Sequence, residues 1–189
     1  MRYEDLFDFI NIPTLYTDRL ILRRLKRSDV DDVYEYSSDP AVSQYLMWSP
    51  HSKKAVSRRY LKDITKKYKT AEFYTWGIEF EGRIVGTVGF NSFNLEYNSA
   101  EVGYVISSKY WRLGFATEAL RRILKYGFLE LNLNRIEIRY MSQNTASLRV
   151  AEKCGLRLEG VMKDGIFVKG SYRDVGIAAI TRELYDGMR

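Results

Sequence analysis

In the stretch "YWRLGFATEALRRIL", Tyr110 to Leu124, an aromatic and cationic segment passes through Gly114 straight into an amphipathic helical pattern. The N–H groups in the first turn of a helix have no partner within the helix, and together with the macrodipole they form a seat for phosphate oxygens. Gly114 has no Cβ and Ala116 only a methyl, so an anionic ligand can come close to the backbone of Arg112, Leu113, Gly114, Phe115, Ala116 and Thr117. Arg112 adds a cation suited to a pyrophosphate. A three-glycine dinucleotide fingerprint and a Walker lysine are both missing from the sequence, so the turn alone also reads as an ordinary helix start.

Few other groups are available for chemistry. Cys154 is the one cysteine and His51 the one histidine, so internal disulfides, Cys/His zinc sites and Cys-His or Ser-His nucleophile pairs lack their parts, and no metal is expected. Cys154, near a helix end, reads as a small buried hydrophobe rather than a reactive thiol. In "NTAS", Asn144 opens a helix and Ser147 follows three residues later, which places both near one helix end and facing one cleft. The plain use of Asn144 is as a cap.

These groups need a frame. At 189 residues and 46% hydrophobic, the chain fits one compact domain over 1–189, with 1–16 as an N-terminal extension. It has no apolar run of about 18 residues, and its first segment carries Glu4, Asp5 and Asp8 where a secretory signal is basic and apolar. The expectation is a soluble, cytoplasmic protein with no membrane partner. "RLILRRL" (Arg19 to Leu25) reads as a strand, followed by a helix capped by Ser28 and stopped before Pro40, and a short helix Ala41 to Leu46 capped by Asp39. From Phe73, two β-rich runs flank Glu81 and Gly82 as a hairpin. "SAEVGYVIS" is a third strand, then come the helix after Gly114, the strand "RIEIRYM", a short helix closed by Gly155, and a final hairpin. This order gives an α/β fold with a mixed, mostly antiparallel sheet and flanking helices.

The net charge of +6 is local. Lys53 to Lys69 holds eight Lys/Arg and the single acid Asp63, so the rest of the chain is close to neutral. Ala55, Val56, Tyr60, Leu61, Ile64 and Tyr68 form an apolar stripe of helical period, leaving the cations on the other faces. They read either as a solvated surface or as a patch for an acidic or RNA-associated partner.

"TDRLILRRL", "GTVGF", "AEVGYVISSKYWRLGFATEAL", "NTASLRVAEKCGLRLEGV" and "GSYRDV" occur in the order seen in the GNAT superfamily, which the chain resembles from Thr17 onward. It is most similar to the branch containing the ribosomal-protein N-terminal acetyltransferases. The resemblance implies a GNAT fold with splayed central strands, acetyl-CoA as co-substrate, and direct acetyl transfer to a primary amine, either a protein N-terminus or a small molecule, in a ternary complex. It implies that the Gly114 turn binds the pyrophosphate. The family pattern there is Gln or Arg, two residues, Gly, any residue, then Gly or Ala; it maps onto Trp111 to Ala116 and departs at Trp111.

The same resemblance implies that "VGYVIS" and "RIEIRYM" part to admit the pantetheine arm, with amides of Val105 or Ile106 bonding it. Asn144 then contacts coenzyme A, and Ser147 donates to the departing thiolate, with Tyr140 as the alternative donor. Glu101 is the candidate base; its plain alternative is an exposed strand carboxylate. Tyr45, Trp48 and His51 are candidates for the acceptor pocket, and Asp164 is the one carboxylate on the late hairpin. An inert acyl-CoA-sensing or RNA-binding module is the rival reading, and monomer and homodimer stay open.

Overall fold

A computed structural model describes residues 12–69 and 74–188. Residues 1–11, most of the expected extension, and Phe73 at the expected start of the first hairpin lie outside the described residues.

Eight strands form one sheet in the order β1-β2-β3-β4-β5-β6-β8-β7. The strands are β1 (Leu15–Tyr16), β2 (Ile21–Arg23), β3 (Tyr74–Phe80), β4 (Arg83–Asn94), β5 (Ser99–Ile106), β6 (Arg135–Met141), β7 (Arg157–Val168) and β8 (Ser171–Thr181). The helices are α1 (Val30–Ser37), α2 (Pro40–Ser43), α3 (Lys54–Lys67), α4 (Phe115–Leu129), α5 (Thr145–Lys153) and α6 (Arg182–Asp186). Every neighbouring pair is antiparallel except β5 with β6. The mixed, mostly antiparallel α/β expectation therefore holds, and the third and fourth strands do turn at Glu81 and Gly82, both left-handed (φ 50° and 77°).

Four local expectations are corrected. The strand expected over Arg19 to Leu25 shortens to β2, because Arg23 turns its guanidinium onto both oxygens of Asp29 and draws the chain into a 3-10 turn, Arg27–Asp29. Asp29 consequently stands at the N-terminus of α1 in place of Ser28, held also by the Lys26 amide at 2.7 Å. On α3, Ala55 is exposed, and the buried positions are Ser57, Leu61 and Ile64. Ser57 tolerates burial because its hydroxyl lies 2.8 Å from His51 Nδ1. The Asp39 cap of α2 is present, its carboxylate accepting from the Ala41 amide, although α2 ends at Ser43 rather than Leu46.

The main core lies between the sheet and α4, where Ala119, Leu120, Ile123 and Leu124 meet Trp76, Phe90, Ile136 and Ile138. A second cluster, with Val33, Leu61 and Ile64, seats α1 and α3 on the opposite face. Among the described residues no helix is long and apolar enough to cross a membrane.

Candidate active site

The parallel pair β5–β6 is joined for three rungs only: Ser99 with Arg135, Ala100 with Ile136 and Glu101 with Glu137. Beyond Glu101 the strands part. β5 stays on β4 as far as Ile106 and β6 stays on β8 as far as Met141, so a wedge opens through the middle of the sheet. A cleft of about 820 Å³ runs through it, lined on one side by Asn144 and Ser147 and on the other by Tyr45, Trp48 and Glu101. Because side chains alternate along a strand, Glu101, Gly103 and Val105 face α3, whereas Tyr104 and Ile106 face α4 and α5. The wedge is thus a passage from one face of the sheet to the other.

Past the end of β5, on the α4 side of the sheet, Arg112 (φ 65°) and Gly114 (φ 84°) are both left-handed, and Gly114, which lines a separate depression with Arg19, Arg121 and Lys153, is the N-cap of α4 without a side-chain cap. Among the described residues, no carbonyl or side chain accepts from the amides of Arg112, Leu113, Gly114, Phe115, Ala116 or Thr117. A Cβ on Gly114 would meet nothing nearer than the Arg19 guanidinium, at 3.4 Å. This is an open concavity of N–H donors, which fits a diphosphate. Arg19, not anticipated from the sequence, is held there by Glu118 at 2.7 Å and stacks over Phe115 at 4.7 Å. Trp111 explains its departure from the pattern: its indole N–H donates to the Ile106 carbonyl at 2.8 Å, hooking the turn onto the end of β5.

That bond also sorts the two candidate strand amides. Ser107 donates to Val85 at 2.8 Å, so by the alternation of an antiparallel ladder Val105 turns its main-chain groups to Thr87 on β4. Ile106 and Tyr104 turn theirs toward the wedge.

Asn144 does cap α5, its side chain accepting from the Ser147 amide at 3.2 Å. Ser147 is buried, and its Oγ lies 3.0 Å from the Tyr104 hydroxyl. Burial pushes the Tyr104 phenol up to about 12, opposed in part by Ser147; it stays protonated across the working range of an amine acceptor. Tyr104 was missed because on paper it is one more aromatic on a strand. Tyr140 lines the passage too, but its ring lies over Gly176, where a Cβ would meet it at 2.5 Å. Cys154 is buried with its thiol pushed up to about 11 by desolvation, as expected for a structural residue.

On the other face, Glu101 accepts from Asn91 Nδ2 at 3.1 Å and lies 3.6 Å from Arg139 Nε. Asn91 is turned there by a bulge between Phe90 and Ser92. Tyr45 and Trp48 line the cleft, while His51 sits behind Trp48 at 5.4 Å between ring centroids and bonds Ser57. Desolvation lowers the His51 pKa. Asp164 is exposed, and its backbone is used in a β7 bulge, the amide donating to Asp174 at 2.8 Å. Among the described residues no group of three or more His, Cys, Asp or Glu is placed to hold a metal.

The family described as "Acetyltransferase (GNAT) domain" matches residues 19–157. The chain is similar to the uncharacterized N-acetyltransferase p20 of Bacillus licheniformis, 33% identical over 92% of this chain and 99% of that protein. A GNAT acetyltransferase structure from Bacillus anthracis superposes with a TM-score of 0.80 at 31% identity, covering 90% of this chain and 99% of the other. The ribosomal L7/L12 α-N-protein acetyltransferase RimL, in complex with coenzyme A, shares the fold at a TM-score of 0.79 and 22% identity, covering 90% and 97%.

Proposed function

The chain belongs to the GNAT family, whose members are acyltransferases that use acetyl-CoA, and on that premise we propose that it moves an acetyl group directly onto a primary amine held on the α3 face of the passage. The observation that carries this reading is the wedge itself, with uncapped amides at one mouth and a carboxylate at the other.

Acetyl-CoA supplies the activated thioester. The amides of Leu113 to Thr117 and the Arg112 and Arg19 guanidiniums seat its diphosphate, and Arg121 and Lys153, beside the same turn, suit a further phosphate. Ile106 N–H, directed into the wedge, bonds the arm or the thioester carbonyl, where a donor stabilises the negative charge that builds on oxygen. The nitrogen–carbon bond forms as the carbon–sulfur bond breaks. Glu101, directly or through water, takes the proton lost by the nitrogen. Ser147 Oγ gives a proton to the sulfur and is resupplied by the Tyr104 hydroxyl behind it. Asn144 sets the position of Ser147 and faces the arm. Val105, with its main-chain groups committed to β4, contributes a wall, and Tyr140 stays the second candidate donor.

Initial velocities with both substrates varied test the ternary complex: intersecting double-reciprocal lines are expected, and parallel lines would refute direct transfer. The exposed cations of α3 are a separate feature. If RNA or an acidic protein binds there, affinity falls steeply with salt.

A further inference from the structure

The acceptor end of the passage has two walls from distant parts of the chain. One is the segment after α2 with the inner side of α3, giving Tyr45, Trp48 and Tyr60; the other is the β7–β8 hairpin, giving Met162 and Ile166. The hairpin is bent to do so. Pairing runs Met162 with Val175 and then Ile166 with Arg173, so three residues of β7, Lys163 to Gly165, stand opposite Asp174 alone. Such a bulge kinks the strand and re-aims its side chains. Beyond it, the left-handed pair Lys169 and Gly170 (φ 49° and 80°) turns the chain, and Lys169 Nζ donates to the carbonyl of buried Ser43 on α2 at 2.5 Å. The two walls are therefore strapped together at the tip.

Four charged groups line the cleft: Glu101 lies 3.6 Å from Arg139 Nε, which is nearer to Glu137 at 2.9 Å, and Asp63 stands exposed on α3 one turn before Lys67. The two walls are aromatic and aliphatic, with Thr75, Thr87 and Asn91 of the sheet also lining the cleft, and Tyr60 is desolvated enough for its phenol to be pushed up to about 12. A second cation on the acceptor would lose hydration against these apolar walls. A flat apolar body would fill the space between Trp48 and the hairpin.

We infer that the acceptor is a small primary amine with a compact apolar, aromatic-sized body, and that Lys169 is a specificity-determining residue which, by strapping the hairpin to α2, excludes larger chains. This rests on the acetyl-transfer reading, and the bonds made and broken are the ones given there.

The test measures coenzyme A thiol release by the full chain with 2-phenylethylamine, spermidine and a Ser-initiated pentapeptide. Expected is a kcat/KM for 2-phenylethylamine at least about 10-fold above the other two, falling about 10- to 100-fold in Trp48→Ala. In Lys169→Ala the margin over the pentapeptide narrows several-fold, and Lys169→Arg restores it, which a general loss of folding would not do. Faster turnover of spermidine or of the peptide by the unaltered chain overturns the acceptor class. An unchanged margin in Lys169→Ala overturns the strap. Silence with every amine, alongside acetyl-CoA binding by calorimetry, overturns the acceptor assignment alone; silence without that binding overturns the transfer reading as well.

Discussion

The two mouths of the passage are built in opposite ways. The α4 mouth is built around one continuous stretch, Ser108 to Thr117, which presents unpaired main-chain amides and whose shape is set by backbone angles at Arg112 and Gly114, with Arg19, Arg121 and Lys153 beside it. The α3 mouth is assembled from four segments far apart in sequence, and its groups are side chains: Tyr45, Glu101, Arg139 and Met162. A common co-substrate can be recognised by peptide groups that every sequence provides. An acceptor that differs from enzyme to enzyme needs replaceable side chains.

Substitutions can break or sharpen this contrast. The largest effect is expected at the α4 mouth from Gly114→Glu, which places a side chain at φ 84° and a negative charge among the phosphate donors. Acetyl-CoA affinity measured by calorimetry should fall at least about 100-fold, with every acceptor affected alike. Within the passage, Ser147→Ala should lower kcat roughly 100-fold and Tyr104→Phe less, both with KM for acetyl-CoA little changed; equal losses would make Tyr104 the direct donor. Smallest is the effect on stability of Glu118→Gln. Burial raises the Glu118 pKa, but bonds from the Thr17 hydroxyl and from the Arg19 amide and guanidinium outweigh this and hold it below the ordinary carboxylate value. A depressed folded-state pKa gives stability that is present above the unfolded value of about 4.3 and is lost as pH falls through the folded one. Glu118→Gln should therefore cost about 1–2 kcal/mol at pH 7, and denaturant melts should show the difference closing toward pH 3.

What could be read from the chain in advance follows the same division. The Gly114 turn, the Asn144 cap and the Glu81–Gly82 hairpin were visible because each depends on residues within a few positions of one another. The wedge entered only through a family resemblance, since nothing in "AEVGYVIS" or "RIEIRYM" reveals that pairing stops after Glu101. Tyr104 gains meaning from Ser147, 43 residues away, and Lys169 from Ser43, 126 residues away. Trp111 shows the converse. Its mismatch to the family pattern is a local substitution with a local explanation, an indole bonded five residues back.

The three-rung seam between β5 and β6 has one more consequence. It leaves β1 to β5 and β6 to β8 as two half-sheets fastened at one corner, with the Tyr104 main-chain groups and the Ile106 amide facing the gap while the Ile106 carbonyl is taken by Trp111. On the proposed reading, an extended amide-bearing arm lying in the gap would act as a surrogate strand, so that saturation with co-substrate should raise the melting temperature with concentration.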